Sequence, residues 1–304
     1  MSDTMHGQDA LNTEETDALY EAVRHQITGK TFDAATNDQD RTTLQQMVES
    51  LGDKRGITRL HFAEAIGAIG TSATPYLIQA LTYHSNPVVR RAAAKTLTLI
   101  GDPDAVPTLV HSLLNDPDTV VRTSVTGALA RSGEASVSTL LEVLASPETP
   151  EDSKGLAMWA LAFIGSAAKT HIMKAIASPV PEVRTAVIST LGTIALETRD
   201  EVTIALLIQA LDDPDPDARS EATIALSNIQ YQPAIPKVLE LLHQHPDPET
   251  RKAAALALMK MGNQTAIPEL KTAAGIETSP IVLSVINLAI GQLQNAIVTD
   301  DDWD

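Results

Sequence analysis

Apolar residues recur along this chain at helical spacing, in short blocks closed by the same punctuation. The stretch 86–114, NPVVRRAAAKTLTLIGDPDAVPTLVHSLL, shows the unit. Asn86 can cap a helix, and Pro87 sits in its first turn, where a missing N–H costs nothing. Val89, Ala93, Leu97 and Ile100 then recur at helical spacing. Gly101-Asp102-Pro103 stops the helix, because Gly accepts a left-handed cap and Pro cannot continue a helix. A second helix runs from about Ala105 to Leu114, with Leu109, Val110, Leu113 and Leu114 on one face. Asp116-Pro117 then starts the pattern again.

Two rows of residues keep this period through most of the chain. A basic residue lies seven positions before an apolar one in each first helix: Arg59/Ile66, Arg90/Leu97, Arg122/Leu129, Lys154/Leu161, Arg184/Leu191, Arg219/Leu226 and Arg251/Leu258. Successive basic residues are 31, 32, 32, 30, 35 and 32 apart. A second row, Gln79, His111, Glu142, Lys174, Gln209, Glu240 and Lys271, runs through the second helices at spacings of 32, 31, 32, 35, 31 and 31. Helix–turn–helix units at a period of about 32 are the signature of an α-solenoid, so the fold class is all-α.

The units VRRAAAKTLTLIGDPDAVPTLVHSLLNDPD and ARSEATIALSNIQYQPAIPKVLELLHQHPD resemble HEAT repeats. Together with KGLAMWALAFIG they look most like the HEAT-like repeats of phycobilisome lyases and their cyanobacterial relatives. Those relatives include the non-bleaching type of phycobilisome degradation protein and a HEAT-repeat protein that partners an iron–sulfur carrier. The resemblance covers roughly residues 53–297. It implies a solenoid whose second helices line the concave surface.

About seven helix pairs fill 53–297. Residues 12–52 read as a helical N-terminal cap of two helices, and 280–294 as a last apolar helix closing the other end. Pro147 and Pro150 lengthen the loop before the fourth pair. Extra residues Glu197 to Glu201 fall between the helices of the fifth and account for the spacing of 35. Residues 1–11 read as a disordered start and 298–304, with Trp303, as an acidic tail.

Composition narrows the function. There are 22 Lys and Arg against 39 Asp and Glu, a formal charge of −17. That argues against tracking nucleic-acid phosphates and against electrostatic attachment to an anionic membrane. With no cysteine, thiolate catalysis, disulfides and Cys-ligated metal centres on this chain are excluded. No apolar run approaches the length of a bilayer span, and the first 20 residues lack the features of a signal peptide. A cytoplasmic location is expected; the resemblance adds a peripheral place at thylakoid-bound phycobilisomes. No HExxH, GxSxG or phosphate-binding glycine loop occurs. The eight histidines offer no ligand set: His243 and His245 would point to different helix faces, and His84 and His111 lack a third partner. No cofactor, no metal and no catalytic residue are expected on this chain.

Three groups of residues are candidates for contact. The ladder Arg59, Arg90, Arg122, Lys154, Arg184, Arg219 and Arg251 fits a cradle for phosphate or bilin propionates, or a structural role paired with Asp102, Asp116, Asp118, Asp213 or Asp215. A residue repeated in every unit builds the unit, so the structural reading is preferred. The row Gln79, His111, Glu142, Lys174, Gln209, Glu240 and Lys271 keeps its position while its chemistry varies, as partner contacts in the groove would. The third row is Glu64, Lys95, Gly127, Trp159, Ser189, Ile224 and Leu256. Charges at that position imply exposure, so Trp159, with Phe163 one turn on, is expected to be a solvent-facing aromatic anchor for a protein partner.

The expected function is a non-catalytic adaptor. By resemblance, its client would be a phycobiliprotein or the phycobilisome during assembly, remodelling or disassembly. One alternative is a subunit of a bilin lyase, attaching a tetrapyrrole to a cysteine of the client. Another is a scaffold for an iron–sulfur carrier.

Overall fold

The computed structural model describes residues 12–27, 32, 34 and 36–300, with backbone alone at 24–27 and 296–300. The expected disordered start and Trp303 lie outside these residues. The chain forms two compact units that divide between Ile164 and Gly165. The first holds α1 (Thr13–Ile27), α2 (Asp38–Ser50), α3 (Gly56–Ile69), α4 (Thr74–Tyr83), α5 (Pro87–Ile100), α6 (Val106–Asn115), α7 (Thr119–Arg131), α8 (Glu134–Ala145) and α9 (Glu151–Ile164). The second holds α10 (Lys169–Ala175), α11 (Pro181–Thr198), α12 (Glu201–Gln209), α13 (Pro216–Asn228), α14 (Ile235–Gln244), α15 (Pro248–Met261), α16 (Ile267–Ile276) and α17 (Pro280–Asp300). Among the described residues there is no strand. The seven pairs begin at α3/α4 and end at α15/α16, an α-solenoid pattern.

The punctuation acts as its chemistry requires. Asn86, Asp118, Asp215 and Asp247 accept from backbone N–H groups in the first turns of α5, α7, α13 and α15. Gly101 and Gly262 close α5 and α15 in the left-handed region, at φ 69° and 67°. A short 3-10 turn links most pairs and ends on a buried alanine: Ala73, Ala105, Ala168, Ala234 or Ala266. The row seven residues beyond each ladder position, from Ile66 to Leu258, is at most 2% exposed throughout and forms the spine of the core.

The ladder does two jobs at once. Arg59, Arg90, Arg184, Arg219 and Arg251 each donate Nη1 to two backbone carbonyls, six and five residues back, in the loop that leads into their own helix. In Arg90, Arg184, Arg219 and Arg251 the rest of the guanidinium reaches the next repeat. Arg90 forks onto Asp116 at 2.8 and 2.9 Å. Arg184 forks onto Asp213 and Arg251 onto Glu277, all at 2.8 Å. Arg219 meets Thr250 and, at 3.5 Å, Asp247. Arg122 instead bonds Leu113 O, Asp152 and Ser153, and Lys154 pairs with Glu151 in its own helix. Burial alone would raise the Asp116 and Asp213 carboxyls, but the guanidinium and one backbone N–H on each hold both below the usual range. Of the other expected partners, Asp118 and Asp215 cap their own helices, and Asp102 accepts from Thr74 Oγ1 at 2.6 Å on the opposite edge of the stack. Local caps and the Thr hydroxyl claim those carboxylates first.

Two boundaries and one apolar run differ from the sequence expectation. The extra residues of the fifth pair do not form a loop: α11 absorbs Glu197 and Thr198, and Arg199 ends it at φ 53° before Asp200 caps α12. Arg199 then donates to Ile229 O in the next repeat. The last helix runs through Asp300 rather than 294, so the first residues assigned to the tail are helical. One run, 151–175, is apolar and long enough by composition to cross a membrane. Its first helix, α9, has 14 residues, and Gly165 turns the chain at φ 56°. That helix spans about 21 Å, short of the ~30 Å hydrocarbon core.

Removing a ladder residue leaves its partners stranded. Arg122→Ala is expected to lower stability by about 1–3 kcal/mol, the cost of unmaking part-buried charged hydrogen bonds, measured by urea unfolding. The Glu277 carboxyl, bonded by Arg251 and by backbone N–H groups of Ser279 and Thr278, is pulled from 4.5 down to about 2. Its contribution is therefore full above the unfolded value near 4.5 and lost as pH falls through about 2. Glu277→Gln should be less stable than the parent at pH 7, with the gap closing as pH falls toward 2 in acid titrations of melting temperature.

Candidate functional site

The two helix layers are not equivalent. Within the first unit α3, α5, α7 and α9 stack closely on one another, while α4, α6 and α8 touch far less. Within the second, α11, α13, α15 and α17 stack closely and α14 meets α16 sparsely. Small residues permit the approach: a Cβ on Gly192 would lie 2.8 Å from Ala225 Cβ, and one on Gly67 would lie 3.2 Å from Leu99 Cβ. A double layer bends toward its more closely spaced side. Within each unit the inner side is therefore the layer of first helices, which carries the ladder.

Gln79, His111, Glu142, Lys174, Gln209, Glu240 and Lys271 are all solvent-exposed, as their chemistry implied. They lie on the second helices, the more widely spaced layer. His111 and His84 do share a recess of about 210 Å³ with Arg90, Asn115 and Asp116. Arg90 occupies the Asp116 carboxylate there, so the recess offers a cation nothing to bind. His243 pairs with Glu269 at 3.1 Å, whereas His245 accepts from Asp247 N. No group of three or more metal-ligating side chains occurs among the described residues.

The exposed apolar side chains gather on the inner layer. Among the large hydrophobics exposed in the described residues, only Tyr83, Val202 and Ile276 lie off the first helices and α17. Trp159 and Phe163 are 53% and 64% exposed, with ring centroids 5.1 Å apart in an edge-to-face contact. The loop before α9 leaves both uncovered. In the second unit the same register gives Ile224, Leu256 and, on α17, Leu288, all exposed. A groove of about 380 Å³ runs between α13 and α15, floored by Ile224, Ala253, Leu256 and Ala257 and bordered by Lys252 and Lys260. The sequence offered only a faint sign of it: the third row turns from charged to aliphatic after Ser189.

Exposure of Trp159 is directly measurable. In a Trp303→Phe chain, iodide is expected to quench nearly all tryptophan fluorescence, and Trp159→Ala should leave the melting temperature almost unchanged. Leu129→Ala, at a fully buried position, should by contrast cost about 2–5 kcal/mol.

Known proteins share this architecture. Residues 44–130, 74–161 and 204–291 match HEAT repeats, which together is more than half of the chain. The bilin biosynthesis protein MpeU of Synechococcus sp. (strain WH8020) is 35% identical over 187 residues, 62% of this chain and 63% of that protein. The match thus spans less than two thirds of that relative's length. Among solved structures, the complex of CpcE and CpcF of phycocyanin lyase from Nostoc sp. PCC7120 is 21% identical, covers 82% of this chain and 94% of that one, and has a TM-score of 0.34. Kap121p bound to Nup53p is 13% identical over 93% of this chain and 42% of that one, with a TM-score of 0.48. At these values the structural likeness adds no argument about function. The repeat period, the helix pairs and the matched stretches agree, and the chain belongs to the HEAT-repeat family.

Proposed function

We propose that this protein works in bilin chromophore attachment, as the tetrapyrrole-holding subunit of a lyase that acts on phycobiliproteins. The observation that carries the reading is the 35% identity to a bilin biosynthesis protein over 187 residues. It moves the weight from the pure adaptor expected from the repeats to the lyase alternative.

The chemistry is compatible with the residues present. The chain has no cysteine, so the thiol that bonds the tetrapyrrole comes from the client protein. What remains for this chain is to hold and orient. The groove between α13 and α15 suits part of a flat, apolar ring system, with Ile224 and Leu256 beneath it. Lys252 and Lys260 at its border suit propionate carboxylates; their present partners, Glu249 and the Asn228 amide, are exposed side chains that can give way. Bilin is a substrate in this scheme, not a resident cofactor.

A second reading, a non-catalytic adaptor for phycobiliproteins, is favoured by one feature that bilin binding does not use. The Trp159–Phe163 pair lies in the other unit and is of the kind that anchors protein contacts.

The test is titration of the purified chain with a free bilin, followed by absorbance, and then bilin transfer to an apo-phycobiliprotein with and without the chain. Saturable binding and faster covalent transfer are expected. Leu256→Asp should weaken bilin binding about tenfold or more, the effect of losing about 1.4 kcal/mol. No bilin binding, with retained binding of the phycobiliprotein, would leave the adaptor reading in its place.

A further inference from the structure

The inner layer of the first unit carries a second feature, independent of bilin. In this chain of −17, α5 and α7 contain no acidic residue. They carry Arg90, Arg91, Lys95, Arg122 and Arg131. Arg90 and Arg122 are spent on the ladder. Arg91, Lys95 and Arg131 are exposed and make no ion pair or hydrogen bond among the described residues.

These three lie in register with the aromatic pair. Arg91, Lys95 and Leu99 follow one another at one-turn intervals along α5; Thr123, Gly127 and Arg131 take the same positions on α7; Gly155, Trp159 and Phe163 take them on α9. The three helices pack side by side. The stem of Arg131 lies beside the end of α5, 3.6 Å from where a Cβ on Gly101 would be. A Cβ on Gly127 or Gly155 would meet nothing within 4 Å, so the middle of the grid is open. Leu99, Trp159 and Phe163 are each more than half exposed. The neighbouring carboxylates do not cancel the charge. Glu151 and Asp152 are engaged by Lys154 and Arg122, and Glu64 on α3 faces the grid only from its edge, in register with Lys95.

We propose that this grid is a docking surface for an acidic, amphipathic helix of a partner protein. Shape selects a macromolecule, because the grid is open: small ligands are held in concave sites, and the two recesses described above lie elsewhere. Charge selects an acidic partner, because three unpaired cations stand together on a chain that otherwise repels acids. Size selects a helix: three helices at about 8–10 Å spacing present roughly 20 Å, matched by a helix of about 14 residues. Its apolar face would cover Leu99, Trp159 and Phe163, while flanking carboxylates pair with Arg91, Lys95 and Arg131.

The probe is a fluorescein-labelled synthetic peptide of about 20 residues, long enough to cross the grid as a helix, with Leu at i, i+3, i+4 and i+7 and Glu elsewhere. Fluorescence anisotropy on the full chain should show saturable binding that weakens when salt rises from about 0.1 to about 1 M, where the screening length falls to ~3 Å. Arg91→Glu with Lys95→Glu and Arg131→Glu should weaken binding about tenfold or more, and Trp159→Ala comparably. Circular dichroism melting checks that both variants are folded, and Lys54→Glu, at an exposed cation outside the grid, should leave binding unchanged. Equal binding of a scrambled peptide or of the Lys-for-Glu peptide would overturn the proposal. So would concentration-dependent dimerisation abolished by Trp159→Ala, which would make the occupant a second copy. Quenching of Trp159 by free bilin, without peptide binding, would assign the grid to the tetrapyrrole instead.

Discussion

One interaction recurs through this protein: Arg90, Arg184, Arg219 and Arg251, each near the start of a first helix, hold two carbonyls of their own leading loop and a carboxylate or hydroxyl of the next repeat. The carbonyls lie where a helix has just ended and the chain turns, so they would otherwise depend on water. The fork on Asp116, Asp213 or Glu277 fixes distance and angle together, which a lysine cannot do with a point charge. At these four positions the loop is thereby locked to its helix, and the repeat to the following one, at the edge of the stack. The hydrophobic spine from Ile66 to Leu258 supplies the burial, and the guanidinium sets the register.

The other edge is joined by varied means. Thr74 donates to Asp102, Lys169 meets Asp200 at 3.0 Å, and Gln232 donates to Met261 O. The Asp200 carboxyl, bonded first by Thr203 and then by Lys169, is pulled down to about 2. The common theme is that charge on this acidic chain is largely consumed by caps and joints. Surface pairs contribute little stability on their own, but they neutralise the loops. The cations left over on α5 and α7 are therefore informative, since nothing in the fold uses them.

The asymmetry of the two layers then decides where contact can occur. Close packing of first helices leaves their outward positions as a face within each unit, and the exposed apolar residues lie along it. In one unit the face is basic and aromatic; in the other it is aliphatic and grooved between α13 and α15. On the two proposals made above, a helical protein segment and a flat tetrapyrrole would use different faces and need not compete for the same residues.

Much of this was legible in the residues alone. A period near 32 in two rows fixes seven helix pairs, because the helical repeat forces apolar positions to one face and Gly, Asn, Asp and Pro punctuate the ends. Lys95 and Glu64 in the row of Trp159 show that position to be exposed, because a buried site would not take unpaired charge. Three things lay beyond the linear order. The inner layer depends on how near two helices can come, and that follows from Gly67, Gly192 and Ala225 meeting particular neighbours. The choice of Asp116 over Asp102 as the arginine's partner depends on which carboxylate is already taken, by a cap or by Thr74. The joining of Arg131 and Lys95 to the aromatic pair depends on the side-by-side register of α5, α7 and α9. Periodicity places a residue on its own helix; only packing between helices sets which layer is crowded, which charge is spent and which is left to meet a partner.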